Sequence, residues 1–363
     1  MPGLTSGEVN GCNNPRIFFT HRTGGLLSDP YELRFSIYDL TGSTPVLKGT
    51  ADTLVNLADC PTGSRVGLGR FAPPIDTSAA GLNLVKGTHE VRWKYKSAST
   101  DAYKKSRQRF EVLDADKFLE GDEFVGYVSS KQLQSWGFAQ TVPELQDLIN
   151  RTSRRVELIT GRFFEPRFLD MRLSARSGRT ITLGIPIIAL ESITVEVAGV
   201  DLSNLFTSVP IDNTLYQVFN RHLDGVTRPF DDRDDPKIQF IDVFSTNDAT
   251  LPKPSYVFPK GIQNAHILGV FGYTDPDGSP AGETPVLLAK AVAMLVAQAA
   301  VSPISSVGGG SGGGLIKSAK TRDQSVTYFG PTEGGGANLT GTGNRELDDI
   351  LIQLSAPAQL GAV

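Results

Sequence analysis

The chain is poor in the residues that usually carry redox and metal chemistry: its 363 positions include two cysteines, four histidines, two tryptophans and three methionines. His21, His89, His222 and His266 are widely spread, no pair has ligand spacing and no cysteine pair accompanies them, so no zinc site is expected. The acidic stretch Asp231-Asp232-Arg233-Asp234-Asp235 lacks the alternating layout of a calcium loop and reads as a solvated loop. No G-x-S-x-G occurs, and the glycines of 308–314 have no strand before them and no Gly-Lys-Ser/Thr after them, so they are not a phosphate loop. A triad assembled from distant residues would escape such a search. Neither cofactor nor catalytic residue is therefore assigned.

Long apolar runs are also missing. The longest, Val286–Val301, is interrupted by Lys290 and Gln298 and is too short and polar for a membrane span. The N-terminal stretch MPGLTSGEVNGCNNPR lacks the basic start and apolar run of a signal peptide, so a soluble, unexported chain is expected. Cys12 and Cys60 then read as reduced thiols of a protein assembled in a cytosol. A net charge of −4 gives no overall pull toward nucleic acid, and the length suggests two or three domains.

What is present begins with β structure. Leu33, Phe35 and Ile37 alternate with Glu32, Arg34 and Ser36; His89, Val91, Trp93 and Tyr95 alternate with Glu90, Arg92 and Lys94; Arg107–Val112 repeats the pattern. Period two means strands with one buried and one wet face. Turns such as Cys60-Pro61-Thr62-Gly63 separate them, so residues 1–114 are expected to form an antiparallel β-sandwich of immunoglobulin-like topology, without the antibody disulfide. Trp93 shares its face with Val91 and Tyr95, which assigns it to the core rather than to a sugar platform.

From Asp114 the period changes. Phe118, Phe124, Tyr127, Leu133, Trp136 and Phe138 suggest a broken helical approach to a clearer helix. Thr141 and Pro143 form a start signal, and Leu145, Leu148, Ile149, Val156 and Ile159 fall on one face, with Thr152 bridging the gap. Gly161 and Pro166 mark the stop. Strand candidates follow, at Ile181–Leu183, Ile193–Val197, Leu215–Phe219, Lys237–Phe240 and His266–Tyr273. Thr284-Pro285 then opens a second helix, apolar nearly all round, that must be enclosed. Packing it on the first helix makes 115–302 an α+β domain, with helices at about 115–160 and 285–301 and a large β insertion over 163–282.

The remainder is a tail. Residues 303–314 contain VGGGSGGG, a flexible linker by composition. The arm 315–363 carries a short amphipathic helix at 344–354, where Leu347, Ile350, Leu351 and Leu354 form an apolar stripe. So short a helix is marginal alone. It wants a docking surface, on its own subunit or, as the preferred expectation, on a neighbour.

One charge feature stands out. Between Arg151 and Arg179 eight arginines, Arg151, Arg154, Arg155, Arg162 and Arg167 first among them, face three carboxylates, and no lysine occurs from Gln132 to Pro236. Arginine's planar fork suits fixed carboxylate or phosphate partners. Acidic patches of adjacent subunits, a passing duplex and plain solvent remain open readings.

The series LINRTSRRVELITGRFFEPR, IPIIALESITV and FPKGIQNAHILGVFGYTDPDGSP, followed by a Thr-Pro-started apolar helix, resembles the head–tail adaptor (connector) proteins of tailed bacteriophages over about residues 127–301. The resemblance implies a small helical core with a β excursion. It implies a structural, non-catalytic ring, typically of twelve subunits, at the virion neck, assembled in the host cytoplasm. The portal protein and a tail, stopper or terminator protein would be partners, DNA would pass through without sequence specificity, and no membrane is involved. The N-terminal sandwich and the tail lie outside the resemblance. An alternative is a carbohydrate- or host-surface-binding module built on that sandwich.

Overall fold

Alternation in the N-terminal third becomes one long sheet. A computed structural model of the chain describes residues 1–6, 8–12, 15–114, 124–198, 206–224, 232–241, 257–301, 318–321, 324–327 and 344–355. Strands Gly3–Thr5, Lys104–Leu113, Gly87–Lys96, Glu32–Asp39 and Val46–Leu54 lie side by side in that order. All neighbours are antiparallel except Gly3–Thr5, which runs parallel to Lys104–Leu113. Leu33, Phe35, Val91, Trp93 and Phe110 point from its inner face onto Ile17, Phe19, Phe71 and Ile75. Trp93 is 1% exposed, a core residue.

The covering layer differs from expectation. It consists of short ladders, Phe19–Thr20 with Arg70–Phe71 and Arg65–Gly67, and Val9–Asn10 with Ile75–Asp76. The immunoglobulin-like sandwich is thus not found among the described residues: turn-rich sequence keeps the second layer to strands of two or three residues. Side chains support these ladders. Buried Asn10 donates to the carbonyls of Ile17 and Pro73 and accepts from the amides of Arg16 and Ile17. The cysteines also correct the sequence reading. Cys12 and Cys60 are joined as a disulfide, because the turn 60–63 folds back beside residue 12, where the Cys12 sulfur sits 3.0 Å from the Gly63 carbonyl. Composition could not show this, since the two lie 48 positions apart.

Four helices are present among the described residues: α1 (Ser130–Ser135), α2 (Val142–Thr160), α3 (Val286–Val301) and α4 (Arg345–Leu354). The sequence expected the approach to α2 to begin near 115; α1 is a single short helix capped by Ser129, and Phe118 lies outside the described residues. Between α2 and α3 the chain makes its β excursion. Strands Arg167–Leu173, Ala265–Phe271 and Ile187–Ala198 pair antiparallel, with Phe206–Pro210 beyond. Thr180–Thr182, Lys237–Phe240 and Tyr216–Val218 make a smaller sheet.

The N-terminal unit is fastened to this body at several places, three of which stand out. Its hairpin Arg22–Thr23/Leu26–Leu27 extends the excursion sheet through Leu26 opposite Leu190. Arg22 reaches Asp224 at 2.7 Å and the Pro280 carbonyl at 2.8 Å. The third tie is a buried carboxylate. Glu111, on strand Lys104–Leu113, accepts from Thr88 Oγ1 (2.7 Å), the Ser130 amide (3.0 Å), Ser130 Oγ (2.9 Å) and Gln146 Nε2 (2.8 Å). Sheet, α1 and α2 therefore meet on one side chain. Burial pushes the Glu111 carboxyl up, and its hydrogen bonds to Thr88, Gln146 and Ser130 only partly offset this.

Candidate functional site

Local signals place α2. The Glu144 carboxylate accepts from both the Thr141 amide (2.9 Å) and hydroxyl (2.8 Å), and Pro143 stands in the first turn. Gly161 ends the helix at φ 65, a left-handed conformation that glycine adopts without strain, and donates to the Glu157 carbonyl at 2.9 Å. The inner face buries Leu145, Ile149, Thr152 and Val156, with Leu148 and Ile159 half-buried beside them.

That face packs on α3, as the simplest arrangement required. Leu288, Ala291, Val292, Leu295 and Val296 enter the shared core. Enclosure of α3 is incomplete, since Val286 and Leu287 at its start stay exposed.

Helix α4 completes the cluster. Asn344 caps it, accepting from the amides of Glu346 and Leu347, and Leu347, Ile350, Leu351 and Leu354 are all buried against α2 and α3. The preferred expectation had this stripe gripping a neighbour; in this structure it lies on its own chain. The physical reason is that the α2–α3 pair leaves an apolar groove that four aliphatic side chains fill, with Lys290 of α3 pairing Glu346 at the rim. The glycine-rich run 307–314 before it lies outside the described residues.

The arginines divide into two groups. Arg151, Arg154 and Arg155 are exposed on the outer face of α2. Arg151 pairs with Asp147 one turn back, and Arg154 Nε lies 3.2 Å from Asn150 Oδ1. Arg155 has no partner among the described residues. Leu158 lies on the same face and is 85% exposed.

Arg162 and Arg167 instead turn inward. Arg162 is buried, pairs with Asp234 at 3.1 Å and stacks on the Tyr273 ring at 4.7 Å. Arg167 bridges Glu157 and Glu165, the latter at 2.9 Å. Burial disfavours the Arg167 charge, but Glu165, Tyr127 and Glu157 outweigh it and raise its pKa. Burial likewise acts to raise the Glu165 carboxyl, yet the N-terminal ammonium and Arg167 bring it below the ordinary range. Tyr127 donates to Glu157, accepts from the Phe164 amide at 3.1 Å, and is pushed well up by burial and by these carboxylates. This cluster fixes the end of α2 to the start of the excursion. For Arg162 and Arg167 the geometry supplies an intrachain role.

The acidic stretch is likewise more than a solvated loop. Asp232 accepts from the Arg221 amide at 2.7 Å, Arg233 pairs with Asp275, and Asp235 pairs with Lys237. Asp231 lies outside the described residues. His89 is fully buried, its Nδ1 3.0 Å from the Gly87 carbonyl, and burial lowers its pKa. Among the described residues no group of three or more His, Cys, Asp or Glu is placed to hold a metal, and no helix is long and apolar enough to cross a membrane. A cleft of about 920 Å³ opens between the N-terminal unit and the body. Its Arg70 lies over the Phe168 ring at 3.4 Å and reaches Glu191 at 3.4 Å, tying the two units together.

Sequence reasoning missed Leu158 and Ile352 as surface features, although each falls on the charged face of its helix by simple counting. It had no signal for the Glu111 junction, whose four donors come from three separate segments.

No family profile matches the chain, and no characterised protein matches it in sequence. Two solved structures are similar. One is described as the neck of an empty gene transfer agent particle computed with C6 symmetry: 18% identity, TM-score 0.30, covering 50% of this chain and 82% of that one. The other is described as the virion of a native gene transfer agent particle: 19% identity, TM-score 0.27, covering 47% of this chain and 73% of that one. Overlays this loose carry no argument of their own, and the functional reading rests on the residues.

Proposed function

We propose that this chain is a structural subunit of a phage-type virion neck, a head–tail adaptor whose copies form a ring that joins the portal to the tail and lets DNA pass. The observation that carries the reading is the joining of α2 and α3 into one core across the whole β excursion, in the order of the adaptor-like sequence series. The flanking parts fit the same role. The N-terminal unit is clamped to the body by the Arg22–Leu27 hairpin and Glu111, which suits a decoration held in a fixed pose. Arg151, Arg154, Arg155 and Leu158 lie exposed together on the outer face of α2. The portal and a tail-side protein are the partners, and no catalytic step is assigned. Trp93 is buried in the core and so offers no sugar platform.

The test is imaging of the purified full-length chain and of particles labelled with an antibody against it. Rings and label at the neck support the proposal. A monomer at every concentration, with label confined to another part of the particle, refutes it.

A further inference from the structure

The outer faces of α2 and α4 carry patterns that complement each other. Starting at Leu158 and moving toward the start of α2, the outer stripe reads leucine, then Arg155 and Arg154, then the Arg151–Asp147 pair. On α4 the same walk from Ile352, 54% exposed, meets Asp349 and Asp348 and then Arg345. Four positions on each helix sit at the same offsets: Leu158 with Ile352, Arg155 with Asp349, Arg154 with Asp348, and Arg151 with Arg345, a like-charge pair in which each guanidinium already has an acidic neighbour on its own helix, Asp147 and Asp349. At 1.5 Å per residue, two helices laid side by side in parallel would bring the aliphatic pair together and set both arginines against both aspartates about one turn away. An antiparallel pairing loses this match.

Within one subunit these stripes cannot meet, because α2 and α4 already touch through their opposite, apolar faces. Leu158 also separates the possible occupants. A phosphate backbone offers nothing to an exposed leucine, whereas a protein helix bearing Ile352 does. We infer that the outer stripe of α2 receives the outer stripe of α4 from a second copy of this chain. Two different surfaces of one subunit then meet, a heterologous contact, and repetition generates a ring when the rotation closes. The inference rests on the ring reading above and names the faces that build it.

Charge reversal tests it on the full-length chain, by sedimentation velocity and negative-stain imaging at low salt. R154E/R155E makes both stripes acidic; D348R/D349R makes both basic. Each variant alone should assemble more than about tenfold more weakly than the unaltered chain, about 1.4 kcal/mol per contact. An equimolar mixture should regain rings, since each acidic stripe then finds a basic one. Circular dichroism verifies that α4 stays formed. Should D348R/D349R loosen it, Ile352→Asp probes the same stripe without touching the buried leucines and should also weaken assembly. Rings from either charge variant alone, or a mixture of folded variants that stays dissociated, overturn the inference. So does an R154E/R155E ring that is intact but no longer retains duplex DNA. If the unaltered chain forms no ring at all, the ring reading itself fails.

Discussion

Replacing Glu111 separates charge from hydrogen bonding at the junction of the N-terminal unit and the helices. Glu111→Ala leaves the Ser130 amide and the Thr88 and Ser130 hydroxyls without their acceptor in a buried place. The hydroxyls lie 3.3 Å apart and can partly satisfy each other, and Gln146 keeps its bond to the Val112 carbonyl at 3.0 Å. At about 1–3 kcal/mol for each of the three orphaned groups the cost comes to about 3–9 kcal/mol, held toward the lower end by the contact between the two hydroxyls. Glu111→Gln keeps the shape and one acceptor, and should cost far less. The two also differ from the wild type in pH dependence. The carboxyl is raised in the folded state from its ordinary value of 4.5. Below that value both states hold the proton. As pH rises above it the unfolded chain releases its proton first, so the wild type loses stability until the folded pKa is passed, by about 1.4 kcal/mol per unit of difference. Urea unfolding followed by circular dichroism between pH 4 and 8 should therefore show the wild type losing ground to Glu111→Gln as pH rises. Parallel curves, or a wild type that gains relative to the variant, would refute a raised Glu111.

Other expectations follow from single features. The cross-link between Cys12 and Cys60 closes a loop spanning 48 positions, so the double serine variant should lose about 4 kcal/mol in the N-terminal unit, seen as a lower Tm that reductant no longer shifts. Leu351→Ala, at a position 1% exposed, should cost about 2–5 kcal/mol or the docking energy of α4, whichever is smaller, and a chain truncated before Asn344 gives that ceiling in the same urea titration. Replacing Arg151, Arg154 and Arg155 together by alanine should leave the unfolding free energy of the isolated subunit within about 0.5 kcal/mol, because exposed ion pairs contribute little, while weakening assembly measured by sedimentation.

Legibility followed the range of the signal. Helix α2 could be read from Thr141, Pro143 and Gly161 because caps and stops act over three or four residues. Leu347, Ile350, Leu351 and Leu354 likewise declared a docking stripe. Which surface they dock on could not be read, since the groove is made by α2 and α3, more than 100 residues apart. The same limit hid the Cys12–Cys60 link, the parallel edge strand Gly3–Thr5 and the insertion of Leu26 beside Leu190. Of the five singled-out arginines, composition could not separate the three that stay outside from Arg162 and Arg167. Their inward turn depends on Asp234, Tyr273 and Glu165 being brought to them.

The central claim, that the chain joins head to tail, is tested most directly by removing it from an assembling particle system. The account predicts unjoined heads and free tails, with complete particles restored when the purified chain is added back. Complete, DNA-retaining particles formed without it would contradict the account.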